Sequence, residues 1–118
     1  MAAGVYNTVI EKGATFELTV TYKDASGAAV DLSGWTVRMQ VRETPGSAST
    51  ILTSTGGSPT ITITGNSAGI ISASISATNT AALTPATAYY DIEVQNNSSG
   101  IVRRVLQGRI VISPEVTR

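Results

Sequence analysis

The chain has 118 residues, the length of one domain, and its 8 Lys plus Arg balance 8 Asp plus Glu, so no basic field draws nucleic acid or an anionic membrane. Histidine and cysteine are both absent, which removes disulfides, thiolate zinc sites, cysteine nucleophiles and histidine general bases together. Charged residues make up only 14%, against about 25% in an average soluble protein, and Ser and Thr fill the difference, as suits strands with hydroxylated outer faces. Met1-Ala2-Ala3-Gly4 has no basic n-region and no apolar run after it, so use in a cytoplasm, or exit by a non-secretory route, is expected. Residues 1–10 read as an N-terminal arm ahead of a domain over 11–118. Tyr6 is an aromatic free for contact, while Val5, Val9 and Ile10 are too apolar for a free tail. The arm is therefore expected to dock on a neighbouring subunit or to add to its sheet edge.

The first strong signal is period two. Phe16, Leu18, Val20 and Tyr22 alternate with Thr15, Glu17, Thr19 and Thr21, predicting a half-buried strand. Lys23 to Gly27 supplies a turn. Asp31-Leu32-Ser33-Gly34 predicts a second turn, with Asp31 accepting from downstream N–H groups, Gly34 at positive φ, and Leu32 and Trp35 entering the core. Trp35, Val37, Met39 and Val41 then alternate with Thr36, Arg38, Gln40 and Arg42, a strand with a cationic outer row.

Pro45 to Thr60 reads as a loop with a short strand near Thr50 to Thr53. Thr60 to Thr64, the turn Gly65 to Gly69, and Ile70 to Ser76 read as a hairpin. Ala77 to Leu83 suits one helical turn capped by Thr78 or Asn79 and ended by Pro85. Tyr90, Ile92 and Val94 point inward and Tyr89, Asp91, Glu93 and Gln95 outward. After a loop tip at Asn96 to Gly100 comes a long strand, Ile101 to Ile112, apolar in both registers, with a bulge expected near Gly108 and a stop at Pro114. The sum is an all-β chain: an immunoglobulin-like antiparallel β-sandwich of about seven strands with one short helical turn.

Several segments resemble a phage domain family. Glu11-Lys12-Gly13-Ala14-Thr15-Phe16 looks like the opening of the immunoglobulin-like domain of phage baseplate upper proteins. Asp31-Leu32-Ser33-Gly34-Trp35-Thr36-Val37-Arg38-Met39-Gln40-Val41-Arg42 is similar to a block in those domains and in small virion proteins. Gly69-Ile70-Ile71, Ala82-Leu83 and Tyr90-Asp91-Ile92-Glu93-Val94 look like the family's late strands, and Val105 to Glu115 resembles the closing strand of small tail or neck-region proteins. The resemblance runs from Glu11 to Arg118. It implies a non-enzymatic structural component of a tailed-phage virion, made in the host bacterial cytoplasm, that joins tail, neck, baseplate or fibre components and is a homo-oligomer in the particle. A capsid decoration protein is the nearest alternative, and a carbohydrate-binding host-recognition module a further one.

No cofactor or metal is expected. Asp24 and Asp31 are too few for the ~6–8 oxygens of a calcium site. Asp91 and Glu93 share one face, the minimum for glycosidase chemistry, but neighbours on one strand more often meet arginines across the sheet. No histidine is present to complete a serine triad. The residues expected to bind partners are Tyr6, Val9, Arg38, Gln40, Arg42, Tyr89, Arg103 and Arg109, the arginines for their planar fork and Tyr89 as an exposed aromatic.

Overall fold

Thr- and Val-rich alternation becomes strand wherever the sequence shows it. A computed structural model describes residues 4–46, 50–54, 61–84 and 86–114. The strands are β1 (Gly4–Val5), β2 (Thr8–Glu11), β3 (Phe16–Thr21), β4 (Trp35–Arg42), β5 (Leu52–Thr53), β6 (Thr62–Gly65), β7 (Ile70–Ile75), β8 (Thr87–Asn96) and β9 (Val102–Ser113), with α1 at Ala77–Ala81. The larger sheet runs β1-β9-β8-β4-β5, with β2 also on β9; the smaller runs β3-β7-β6. Met39, Val41, Tyr90, Ile92, Val94, Ile110 and Ile112 from the larger sheet and Ile71, Ala73 and Ile75 from the smaller belong to one buried cluster. The period-two signals of β3, β4, the β6–β7 hairpin and β8 thus correspond to inward rows. The short strand in the loop is β5; residues 47–49 and 55–60 of that loop lie outside the described residues.

Two features depart from the sequence reading. The pairing is mixed, not wholly antiparallel, and nine strands are present among the described residues. Both follow from the N-terminal segment, which is no detached arm: β1 and β2 run parallel to β9 of the same chain. Ile10, opposite Ile112, is completely buried, and hiding such a side chain contributes roughly 1.5–3 kcal/mol.

The register is the same on both sides of the gap between β1 and β2, since Gly4 faces Leu106 and Thr8 faces Ile110. The ladder breaks at one bond. Tyr6 N–H donates to the Gln107 carbonyl at 2.9 Å. In an even parallel ladder Arg109 N–H would go to the Tyr6 carbonyl. Instead it donates to Asn7 Oδ1 at 2.9 Å, and the Tyr6 carbonyl accepts the Tyr90 hydroxyl at 2.6 Å. Gly108 leaves room for this, because a Cβ there would meet the Tyr6 carbonyl itself, 2.7 Å from its carbon. Burial pushes the Tyr90 phenol up to about 12, with Tyr6 adding to the rise, so this donor keeps its proton through the neutral range.

The expected bulge lies elsewhere. Ile92 faces Leu106 but Glu93 faces Arg104, so Val105 is the extra residue. Glycine at 108 serves the approach of Tyr6, and Val105 and Leu106 are both half-buried against the core.

The helical turn is present, capped two or three residues earlier than expected. Ser76 is still extended, and its hydroxyl accepts Asn79 N–H at 3.2 Å. Pro85 lies outside the described residues. Buried Thr80 ties the turn to the chain ahead of β3, accepting Gly13 N–H at 3.1 Å and standing 2.8 Å from the Ala14 carbonyl.

The Asp31 turn forms as its residues predict, with Ser33 N–H donating to Asp31 Oδ1 at 2.9 Å and Leu32 buried. Trp35, also expected in the core, is half-buried against it. Gly34 differs from expectation. The turn closes through Trp35 N–H to the Leu32 carbonyl at 3.0 Å, and Gly34 is not at positive φ; an i to i+3 turn of type I needs none.

Candidate functional site

On the outer face of the larger sheet the side chains form cross-strand rungs. Arg42, Tyr89 and Arg109 stand opposite one another on β4, β8 and β9. Below them come Gln40, Asp91, Gln107 and Val5, then Arg38, Glu93 and Arg104. Above lie Thr87, Val111 and Val9. The Arg42–Tyr89–Arg109 rung and the rungs below it border a cleft of about 440 Å³ lined by Gln40, Arg42, Tyr89, Asp91, Glu93, Arg104, Gln107 and Arg109, with Asn7 and Val5 at the β1 side.

The lower rungs neutralise themselves. Arg38 Nε sits 3.0 Å from Glu93 Oε1, and Arg104 Nε sits 3.5 Å from Asp91 Oδ2. Arg38 also reaches Gln95 and Arg104 reaches Gln107. Half-exposed pairs of this kind add at most about 1 kcal/mol each, so their effect is to fix where charge resides. Burial raises the Asp91 carboxyl, and Glu93 raises it further against the pull of Arg104, Arg42 and Arg38. The carboxylate pair weighed as a catalytic couple is thus held by arginines on neighbouring strands.

The Arg42–Tyr89–Arg109 rung carries two guanidiniums and no carboxylate. Arg42 donates to Gln40 Oε1 at 3.1 Å. Tyr89, Val5, Val9 and Val111 are exposed around it, so cationic, aromatic and aliphatic surface are contiguous. Such a face can grip carboxylates by bidentate hydrogen bonds and bury apolar side chains beside them.

Six of the residues singled out from sequence share this face: Val9, Arg38, Gln40, Arg42, Tyr89 and Arg109. Arg103 does not. The extra residue at Val105 shifts the alternation, so Arg103 falls opposite inward-facing Val94 and Arg104 takes the outer position. Tyr6 is half-exposed, but it stands on the rung of Gly108 beside buried Tyr90, off the outer row. Sequence reasoning missed Arg104, Gln107 and Asn7, which depend on a register that only the folded ladder sets.

Asp24 and Asp31, weighed as calcium ligands, are engaged in their turns. Asp24 Oδ1 accepts from Ser26 N–H, the Ser26 hydroxyl and Ala28 N–H; Asp31 Oδ1 accepts from Ser33 N–H and its hydroxyl. These bonds hold both carboxyls below the ordinary 3.8. A depressed folded value means the turns are reinforced above the unfolded value and loosened as pH falls through the folded one. Titration followed by carboxyl carbon NMR is expected to place both midpoints below 3.8; midpoints at or above it would show the serine contacts to be absent in solution.

No protein-family model matches this chain, and no curated protein matches it.

Proposed function

We propose that the chain is an immunoglobulin-like β-sandwich acting as a non-enzymatic structural component of a tailed-phage virion, docked on another virion protein through the outer face of its larger sheet. Strand order supports the sandwich. With β3, β4, β5, β6, β7, β8 and β9 taken as strands B, C, C′, D, E, F and G, the larger sheet follows the order G-F-C-C′ and the smaller B-E-D, the variable-type arrangement lacking C″ and a paired A strand in the smaller sheet. The virion setting comes from the resemblance of the Asp31–Arg42 block and the closing strand.

One observation carries the docking reading: arginine, tyrosine and arginine stand side by side on one rung of the outer face, among exposed valines. Arginine and tyrosine are the residue types that dominate interface energetics, and losing such an anchor typically costs about 2 kcal/mol or more, roughly 30-fold in affinity. The variants Arg109→Glu and Tyr89→Ala, supplied to phage lacking the native copy, are expected to fold normally and to reach particles at less than a tenth of the native level, measured by mass spectrometry of purified virions. Native-level incorporation of both would remove this face from the assembly. Immunogold labelling of native particles separates the settings: label at tail, neck or baseplate supports the connector, label over the head makes the chain a decoration protein, and absence from particles by both methods defeats the virion reading.

A further inference from the structure

Every open sheet must end somewhere, and this one ends in an unusual segment. The far edge of the larger sheet is β5, whose Leu52 and Thr53 are both buried. In the smaller sheet the edge strands β3 and β6 expose no large hydrophobic side chain. The remaining edge runs from Gly4 to Glu11, with no charged residue before Glu11 and no proline. It carries Val5 at 70% exposure, Tyr6 at 48% and Val9 at 49%, three of the seven large hydrophobics that the described surface leaves exposed. Edge strands are ordinarily blunted by lysine, proline or bulges because their backbone groups invite pairing, and none of these devices is present along this edge.

In a parallel ladder each strand turns alternate residues to one neighbour. Tyr6 and Lys12 direct their N–H groups to β9, at 2.9 and 3.0 Å. By alternation Val5, Val9 and Glu11 present their backbone groups to the open side.

We infer that this edge pairs with the same edge of a second copy, antiparallel across a two-fold axis, joining two larger sheets into one. A two-fold contact needs a patch complementary to itself, and this segment is one. Centred on Asn7, the pairing places Val5 of each copy opposite Val9 of the other, so that each packs against the other's flank. The two Glu11 side chains then fall at opposite ends, about 27 Å apart at ~3.4 Å per residue, well past a Debye length of about 8 Å. A formal net charge of zero leaves no long-range repulsion between copies. The contact lies in the plane of the sheet, so the Arg42–Tyr89–Arg109 rung stays open, and the inference does not depend on the docking role proposed for it.

Sedimentation velocity over a concentration series tests it. The native chain is expected to show a reversible monomer–dimer equilibrium. The double variant Val5→Lys, Val9→Lys, at exposed positions that leave the monomer's core untouched, is expected to weaken the dimer at least tenfold with unchanged thermal melting. Val111→Lys, exposed on the adjacent strand but off the edge, and Arg109→Glu are expected to dimerise as the native chain does. A native chain that stays monomeric to millimolar concentration overturns the inference, as does a double-lysine variant that dimerises normally. In this cysteine-free chain, Val5→Cys with Val9→Cys is expected to give a disulfide-linked dimer, the ~5.5 Å Cα spacing of a hydrogen-bonded pair lying within disulfide reach; a dimer that never forms this link overturns the register.

Discussion

Gly108→Ala is expected to release the N-terminal strands and to lower stability by about 3 kcal/mol or more. The added methyl would enter the Tyr6 carbonyl, which is backbone held from both sides by the Tyr90 hydroxyl and by the Gln107 carbonyl's bond to Tyr6 N–H. No side-chain rotamer relieves that contact, so the segment must lift. Lifting it exposes Ile10 and opens the edge of β9 over its paired length. Urea unfolding measures the loss, and hydrogen exchange locates it, with protection falling first at Thr8 to Glu11 and little change at β3 and β7. A midpoint equal to the native one would mean that Tyr6 does not cross Gly108 in solution. Tyr90→Phe removes only the hydroxyl and is expected to cost about 1 kcal/mol, with loosening at the same residues.

A matched pair of glycines gives the second large effect. Gly69 and Gly100 share a φ of +77°. An alanine at Gly100 meets nothing within 4 Å, so it bears only the left-handed backbone cost of about 1–2 kcal/mol. At Gly69 the same methyl would lie 2.9 Å from the carbonyl oxygens of both Tyr22 and Val30. Those carbonyls cannot withdraw cheaply. Tyr22 N–H donates to the Gly69 carbonyl and Val30 N–H to the Tyr22 carbonyl, while Leu32 N–H donates to Asn66 in the same turn. Gly69→Ala is therefore expected to cost about 3 kcal/mol or more and to disturb the Asp31 turn along with the hairpin. Equal midpoints for Gly69→Ala and Gly100→Ala in urea would show that crowding adds nothing beyond φ.

The sequence carried most of the strands because burial on one face imprints period two. Phe16 to Tyr22, Trp35 to Arg42 and Tyr90 to Val94 each show it without help from distant residues. What could not be read depends on pairings made across nearly the whole chain. Nothing local in Gly4 to Glu11 announces that β9 is its partner, and Gly108 looks alike whether it marks a bulge or admits another backbone. The shift at Val105 left a faint trace: Val105-Leu106 are adjacent and both half-buried, which strict alternation forbids. That trace decides between Arg103 and Arg104 on the outer face. The rung of Arg42, Tyr89 and Arg109 was legible as outward-facing residues, but their meeting side by side is a product of register.

The parallel course of β1 and β2 along β9 also sets how the domain bears load. Force entering at Gly4 and leaving at Ser113 pulls the two strands in opposite directions along their common axis. The ladder is then loaded lengthwise, and its bonds must fail together, whereas a hairpin pulled at its open end parts one bond at a time. Forced unfolding is governed by the rate of that first rupture. The same residues that close the sheet edge therefore make the fold a mechanical clamp, stiffest along the line that joins the two ends of its described chain.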